Sequence, residues 1–196
     1  IKKIITGLIL SLLLSNGVAS AADYNSAYST FQSGNYEAAF QEMLPFAEQG
    51  NVDAQYYIAR MYDFGEGVPE NDKTAVKWYT LAAEQGYAGA QYSLGVMYDN
   101  GYGVPENDKT AVKWYTLAAE QGNANAQGNM GYMYDIGKGV LTDTKRAYMW
   151  YNLAGYNGSE LAGKNKNKIA KKMTLADISK AQDMSSRCLE SNYTDC

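Results

Sequence analysis

A twenty-residue segment occurs twice in this chain without a single change. Residues 67–86 read GVPENDKTAVKWYTLAAEQG, and residues 103–122 repeat them at an offset of 36. A weaker copy follows in the same register, with Trp150-Tyr151 in the place of Trp78-Tyr79. A fixed period of this length predicts a stack of similar supersecondary units, each too small to bury a core alone. The predicted units are 51–86, 87–122 and 123–158.

Each unit carries the pattern of two helices. In the first half of the first unit, Ala54, Ile58 and Tyr62 lie on one helical face. Gly65 and Gly67 follow and end this helix, because glycine accepts the positive φ of a helix C-cap. An asparagine then opens a second helix with its own apolar stripe. The chain is therefore predicted to be all-α, an α-solenoid of stacked helix-turn-helix repeats with a 36-residue period.

Small residues recur where the two helices of a unit are expected to cross. They are Ala59, Gly95 and Gly131 on the first helices, and Ala82, Ala118 and Ala154 on the second. Small side chains let helices approach closely while larger ones fill the space beside them. We therefore expect Trp78, Trp114 and Trp150 to belong to the core and not to a ligand cage.

The sequences on either side of the repeats resemble caps. Residues 23–50 have the pattern of a degenerate helix pair, and residues 159–196 predict two further helices. The second of these opens with Thr174-x-x-Asp177, which resembles a capping box. Stacked repeats need polar terminal units to stay soluble, and the lysine-rich stretch 164–172 provides such a face.

The N-terminal segment has the composition of a secretory signal. Lys2 and Lys3 precede the uncharged run 4–14, and the small residues 19–22 follow. We predict a signal peptide over 1–22, cleaved after Ala21 or Ala22. The alternative is a membrane anchor, but the run is short for a span of about 20 apolar residues. A periplasmic or secreted protein that does not stay in the membrane after cleavage is expected.

Two cysteines, Cys188 and Cys196, lie close together near the end of the sequence. In an oxidising compartment such a pair predicts a disulfide that restrains the tail. Two free thiols are the alternative. The CxxC spacing of a redox pair is absent.

Composition argues against several classes of function. The chain of 196 residues has no histidine, which removes the usual general base and the commonest zinc ligand. Its net charge of −4 disfavours a nucleic-acid interface, which needs excess lysine and arginine. The carboxylates Glu70 and Asp72 sit at a helix start, where the macrodipole explains them better than a metal does. No catalytic residue, cofactor or metal is predicted, and a non-enzymatic monomer is expected.

Residues 90–122, AQYSLGVMYDNGYGVPENDKTAVKWYTLAAEQG, are similar to the Sel1-like repeat, a relative of the tetratricopeptide repeat. The likeness is strong over 51–158 and looser on both sides. It implies a right-handed superhelix that serves as an adaptor for protein–protein contacts. One cysteine-rich branch of the family is associated with β-lactam binding and hydrolysis. The regular cysteine pairs that this branch carries within its repeats are absent here.

The two near-identical units serve as an internal comparison for locating a binding surface. They agree at 27 of 36 positions, and all nine differences fall in the first sixteen positions. The resemblance implies that the first helices line the concave side. We therefore predict a partner-binding groove for a protein or peptide segment, formed by Tyr57, Arg60, Phe64, Glu66, Val96, Tyr102, Asn129 and Tyr132. The alternative is harmless drift after a recent duplication.

Several roles fit such a module. It is expected to act as an envelope regulator or adaptor, or as a periplasmic immunity protein that blocks a secreted antibacterial effector. A hydrolase resembling the β-lactam-binding branch, or attachment to cell-envelope glycan, are the alternatives from other classes.

Overall fold

The computed structural model describes residues 21–196, which form ten α-helices and no strand. The predicted signal peptide, 1–22, lies outside the described residues except for its last two positions. The helices are α1 (Ala21–Gln32), α2 (Tyr36–Glu48), α3 (Val52–Phe64), α4 (Asp72–Glu84), α5 (Ala88–Asn100), α6 (Asp108–Ala119), α7 (Ala124–Ile136), α8 (Thr144–Tyr156), α9 (Glu160–Ala170) and α10 (Leu175–Glu190).

The helices stack in sequence order. Packing is most extensive within the pairs α3–α4, α5–α6 and α7–α8, and each pair also packs on the helix that precedes it. Helices α1 and α2 precede the three pairs, and α9 and α10 both pack against α8. The predicted all-α repeat fold is thus confirmed.

The turn inside each unit follows the local chemistry of its sequence. The first helices end at Gly65, Gly101 and Gly137, whose φ angles are 66°, 73° and 75°. The second helices begin after side-chain caps. Asn71 and Asn107 each accept a hydrogen bond from the backbone N–H three residues later. Positive φ favours glycine, and asparagine is a preferred N-cap, so these boundaries are set by single residues.

The second glycine of each turn has another role. A Cβ on Gly103 would lie 2.5 Å from the backbone carbonyl carbon of Asp72, at the start of α4 in the preceding unit. A Cβ on Gly139 would lie 2.6 Å from the carbonyl oxygen of Asp108, at the start of α6. At this glycine, the turn of one unit therefore packs directly against the backbone of the unit before it.

The two helices of a unit cross at the small residues. A Cβ on Gly95 would overlap the ring of Tyr115, and one on Gly131 would lie 2.6 Å from the ring of Tyr151. Tyr115 is fully buried, and its hydroxyl donates to Asp99 at the end of α5. The three tryptophans pack in the core clusters, Trp150 fully and the other two partly buried, which confirms their predicted place.

A ladder of buried glutamines joins the units. Gln91 donates its amide hydrogen to the carbonyl oxygen of Ala83 in the preceding unit, and its own carbonyl accepts from Gln121. Gln55 and Gln127 make the equivalent bonds. Burying an amide is costly unless it is paired, so this ladder fixes the spacing between units.

The C-terminal tail folds back onto the last unit. Thr174 caps α10 and bonds with Asp177, as the capping-box pattern predicts. The sulfur atoms of Cys188 and Cys196 lie within bonding distance, and the Cα atoms are 4.7 Å apart. The Tyr193 hydroxyl, in the loop that the two cysteines close, exchanges hydrogen bonds with Asn157 at the end of α8.

Candidate functional site

Two adjoining clefts run along the first helices of the units. Contacts between α5 and α7, and between α7 and α9, bring these helices together along one side of the stack. The first cleft has a volume of about 500 Å³ and the second about 350 Å³. Tyr92 and Asn125 line both, so the clefts form one continuous surface. We call this surface the groove.

The first cleft is built around one arginine. The Arg60 guanidinium lies 5.1 Å from the centre of the Phe31 ring and 5.9 Å from that of Phe64. It also pairs with Glu66 at 3.2 Å. Phe64 is 64% exposed, so its ring presents an apolar face to solvent beside a held positive charge. Such an arrangement favours contact with an aromatic or planar polar group.

The second cleft lies between α5, α7 and α9 and contains no charged side chain. Its walls are tyrosine, asparagine and small residues, with one exposed leucine from α9. They are Tyr92, Ala124, Asn125, Gly128, Asn129, Tyr132, Ser159, Leu161, Ala162 and Asn165. Amide groups both donate and accept hydrogen bonds, which suits the backbone of an extended segment.

The predicted groove residues divide into two groups. Five of them line the clefts: Arg60, Phe64, Glu66, Asn129 and Tyr132. The other three lie elsewhere. Tyr57 packs against Tyr28 and Phe31 of α1, Val96 packs partly buried against the core, and Tyr102 is exposed in the turn after α5.

Comparison with known proteins places this fold in a family. The model of the Sel1 repeat matches three consecutive segments, 52–87, 88–123 and 124–159, which together make up more than half of the chain. The chain belongs to the Sel1 repeat family. Sel1 repeats generally serve as scaffolds for protein–protein contacts.

Solved Sel1 structures resemble this one. A Sel1 repeat protein from Oxalobacter formigenes is 38% identical with a TM-score of 0.70, over 73% of this chain and 59% of its own. A protective antigen present in uropathogenic Escherichia coli strains, which displays an SLR fold, is 29% identical with a TM-score of 0.57, over 88% of this chain and 46% of its own.

A curated relative shares only part of its sequence with this Sel1 protein. The exopolysaccharide production negative regulator of Rhizobium meliloti is 33% identical over 57 residues, which is 29% of this chain and 21% of that regulator. The chain spans about a fifth of the length of this relative, 59% of the first solved structure and 46% of the second.

One position of the Sel1 unit carries a different residue in each unit, and in the third unit this residue contacts the preceding unit. Glu66, Tyr102 and Lys138 are equivalent by the 36-residue period. Lys138 reaches back to the preceding unit, where its Nζ lies 2.6 Å from Asp99 and 3.3 Å from Asp108. The hydrogen bond with Asp99 raises the pKa of Lys138 above its ordinary value. This position therefore also joins neighbouring Sel1 units and is not only a groove position.

Comparison of the first two Sel1 units overlooked several groove residues. Tyr56 and Tyr92 line the clefts but are identical between the units, so a search for differences passes over them. Asn125 corresponds to Gly89 and Asp53, and Leu161 lies in α9, beyond the third unit. The recurrence of Tyr56 as Tyr92 at the 36-residue period was the available signal.

Burial controls the titration of the tyrosines in this Sel1 stack. It raises the pKa of Tyr151 to about 12, with smaller contributions from Asp135 and Tyr132. Burial also raises the pKa of Tyr115; the Asp99 carboxylate adds to this, and a hydrogen bond with Asn129 opposes it. These phenols stay neutral at physiological pH and can act only as hydrogen-bonding groups.

Between residues 21 and 196, no three histidine, cysteine, aspartate or glutamate side chains are arranged so that they could hold a metal ion. In the same part of the chain, none of the helices combines the length and the apolar composition that crossing a bilayer requires.

Proposed function

We propose that this protein is an exported interaction module that binds an extended protein or peptide segment in the groove. The observation that carries this proposal is the continuity of the two clefts across three Sel1 units, with aromatic and amide side chains along their length. Aromatic and arginine side chains are the usual anchors of protein interfaces. Asparagine amides pair with the backbone of a segment whatever its sequence.

The rigidity of the groove supports this role. The first helices are held by the glutamine ladder and by the tyrosine–aspartate hydrogen bonds, so a partner meets a surface that is already formed. A preformed surface loses little conformational entropy on binding, and affinity then depends on a few anchors. Arg60 illustrates this, since Glu66 and two phenylalanine rings already hold its guanidinium.

A location in the bacterial periplasm or outside the cell fits the tail. The Cys188–Cys196 pair is placed for a disulfide, and such bonds persist in oxidising compartments. The signal peptide predicted over 1–22 agrees with this location. The role of envelope regulator is supported by the similarity of a short segment to a negative regulator of exopolysaccharide production. Alkylation of the two thiols in fractionated cells, with and without prior reduction, tests the location.

The groove is tested with a random peptide library displayed on phage and the purified protein. One variant replaces four groove residues by alanine: Arg60, Phe64, Asn129 and Tyr132. A matched control replaces four exposed residues of the second helices: Lys77, Leu81, Lys113 and Leu117. Both variants are checked for helicity and for thermal unfolding.

Selected peptides are expected to bind the wild type and the control alike. The groove variant should lose about tenfold or more in affinity, because hot-spot truncations typically remove at least this much. Peptides that bind all three proteins equally would refute the groove as the binding surface. Loss of binding in the control alone would move the interface to the second helices.

A further inference from the structure

Gly128 lines the second cleft, and packing does not explain it. It is inside α7, where glycine lowers helix stability relative to alanine. A Cβ at Gly128 would meet no heavy atom within 4 Å. On the same helix, Gly131 is required, because a Cβ there would lie 2.6 Å from the Tyr151 ring. Gly131 therefore makes room for Tyr151 of the neighbouring helix, whereas Gly128 faces the open groove.

The first two units show what normally occupies this position. The residues equivalent to Gly128 are Tyr56 and Tyr92. The Tyr56 ring lies 5.8 Å from that of Tyr79, and the Tyr92 ring lies 6.0 Å from that of Tyr115. Each of these two units thus places one ring of its first helix beside the buried tyrosine of its second. The third unit keeps the buried tyrosine, Tyr151, but has no ring at the equivalent place.

The walls of this gap suit a phenol. Tyr92 on α5 and Leu161 on α9 provide apolar surface at either side. Asn125 and Asn129 on α7 bring amides that can bond to a hydroxyl. Because no charged side chain lines the cleft, a neutral ring enters it without removing a charge from water. A ring with one polar end satisfies both the apolar and the amide walls.

We propose that the gap at Gly128 is the anchor pocket of the groove and takes a tyrosine side chain of the extended partner segment. The partner's ring stands where Tyr56 and Tyr92 stand in the other units and completes the row. This inference rests on the proposed function, because it names the residue by which the partner is held.

The decisive variant is Gly128→Tyr, which fills the gap from within. The fold tolerates tyrosine at this position in the first two units, and the space for its Cβ is open. Gly128→Ala removes the glycine from α7 and adds no ring, so its thermal unfolding gives the effect of losing glycine alone. Lys113→Tyr adds the same ring to an exposed position of α6 and controls for a new surface aromatic.

The probe is 4-methylphenol, the tyrosine side chain without its backbone, followed by two-dimensional ¹H–¹⁵N spectra. The amide of Tyr92 and the amides of 124–132 and 159–165 should shift saturably in the wild type and in Lys113→Tyr. Gly128→Tyr should weaken this binding by about tenfold or more, the effect of removing a buried anchor. Shifts outside these ranges in the wild type, or unchanged binding by a folded Gly128→Tyr, would overturn the inference.

Peptides selected on the groove distinguish this inference from the proposed function. Enrichment of tyrosine, with affinity lost in Gly128→Tyr, supports both. Groove-binding peptides that lack tyrosine and bind Gly128→Tyr unchanged overturn the anchor pocket and leave the proposed function standing. A selection that yields no groove-binding peptide overturns the proposed function and the anchor pocket with it.

Discussion

Alanine substitutions at two glycines distinguish the stability cost of backbone strain from the stability cost of overpacking between units. Gly86 and Gly103 both have positive φ, 90° and 67°, a region that residues with a Cβ disfavour. A Cβ at Gly86 would meet nothing within 4 Å. A Cβ at Gly103 would lie 2.5 Å from the carbonyl carbon of Asp72 in the preceding unit. The Gly86→Ala variant is therefore a matched control for Gly103→Ala.

The expected magnitudes follow from this geometry. Left-handed backbone costs an alanine about 1–2 kcal/mol, and this applies to both variants. Overpacking against neighbouring atoms adds about 1–3 kcal/mol, and it applies to Gly103→Ala alone. Its neighbour is the backbone at the start of α4, which cannot rotate away as a side chain would. The expected loss in the free energy of unfolding is about 1–2 kcal/mol for Gly86→Ala and about 2–5 kcal/mol for Gly103→Ala.

Urea titrations followed by circular dichroism measure these losses. Hydrogen exchange adds the location, because repeat stacks can open one interface at a time. Gly103→Ala should increase exchange at the interface between α4 and the turn after α5, while Gly86→Ala should not. Equal losses in the two variants would refute the contact between units as a source of stability. No loss in either would refute the strain argument as well.

Three further changes test the core. Burial holds the pKa of Tyr115 above the ordinary 10.0, so the folded state keeps a proton that the unfolded chain loses. The free energy of unfolding should therefore fall as pH rises above about 10. In urea titrations at increasing pH, Tyr115→Phe should reduce this fall. An unchanged dependence of the unfolding free energy on pH would contradict the prediction. Gln91→Leu removes two hydrogen bonds, one to the Ala83 carbonyl and one from the Gln121 amide, and should cost about 1–3 kcal/mol in thermal or urea unfolding. No change would mean that the ladder is dispensable. Ala59 is fully buried at the helix crossing, so Ala59→Leu should cost about 1–3 kcal/mol, and an unmoved denaturation midpoint would argue against that packing.

Local chemistry accounts for the features that the sequence predicts well. The helix ends depend on residues a few positions apart, as at Gly65, Asn71 and the Thr174–Asp177 box. The exact repetition then extends each local assignment to the next unit. A period of 36 residues needs no knowledge of distant contacts to be recognised.

Contacts between units were beyond this kind of prediction. The hydrogen bond from Gln91 to Ala83 and the close contact of Gly103 with the backbone of Asp72 depend on how neighbouring units pack. The repeated Ala-Gln pair and the second glycine of the turn were visible in the sequence, but their spacing alone favours a helix and a C-cap. The role of each residue becomes clear only when the register between units is known.

The same limit explains why the candidate site was only partly predicted. A residue that differs between repeats either binds a partner or packs against a neighbour that the other repeats lack. The second case arises because equivalent positions in the first and middle units contact different helices. Tyr57 differs from Ser93 and packs against Phe31 of α1, a helix that precedes the repeats. Tyr132 differs from Arg60 and Val96, yet it is 48% exposed in the groove. Variation between repeats therefore needs exposure as a second criterion before it indicates a binding surface.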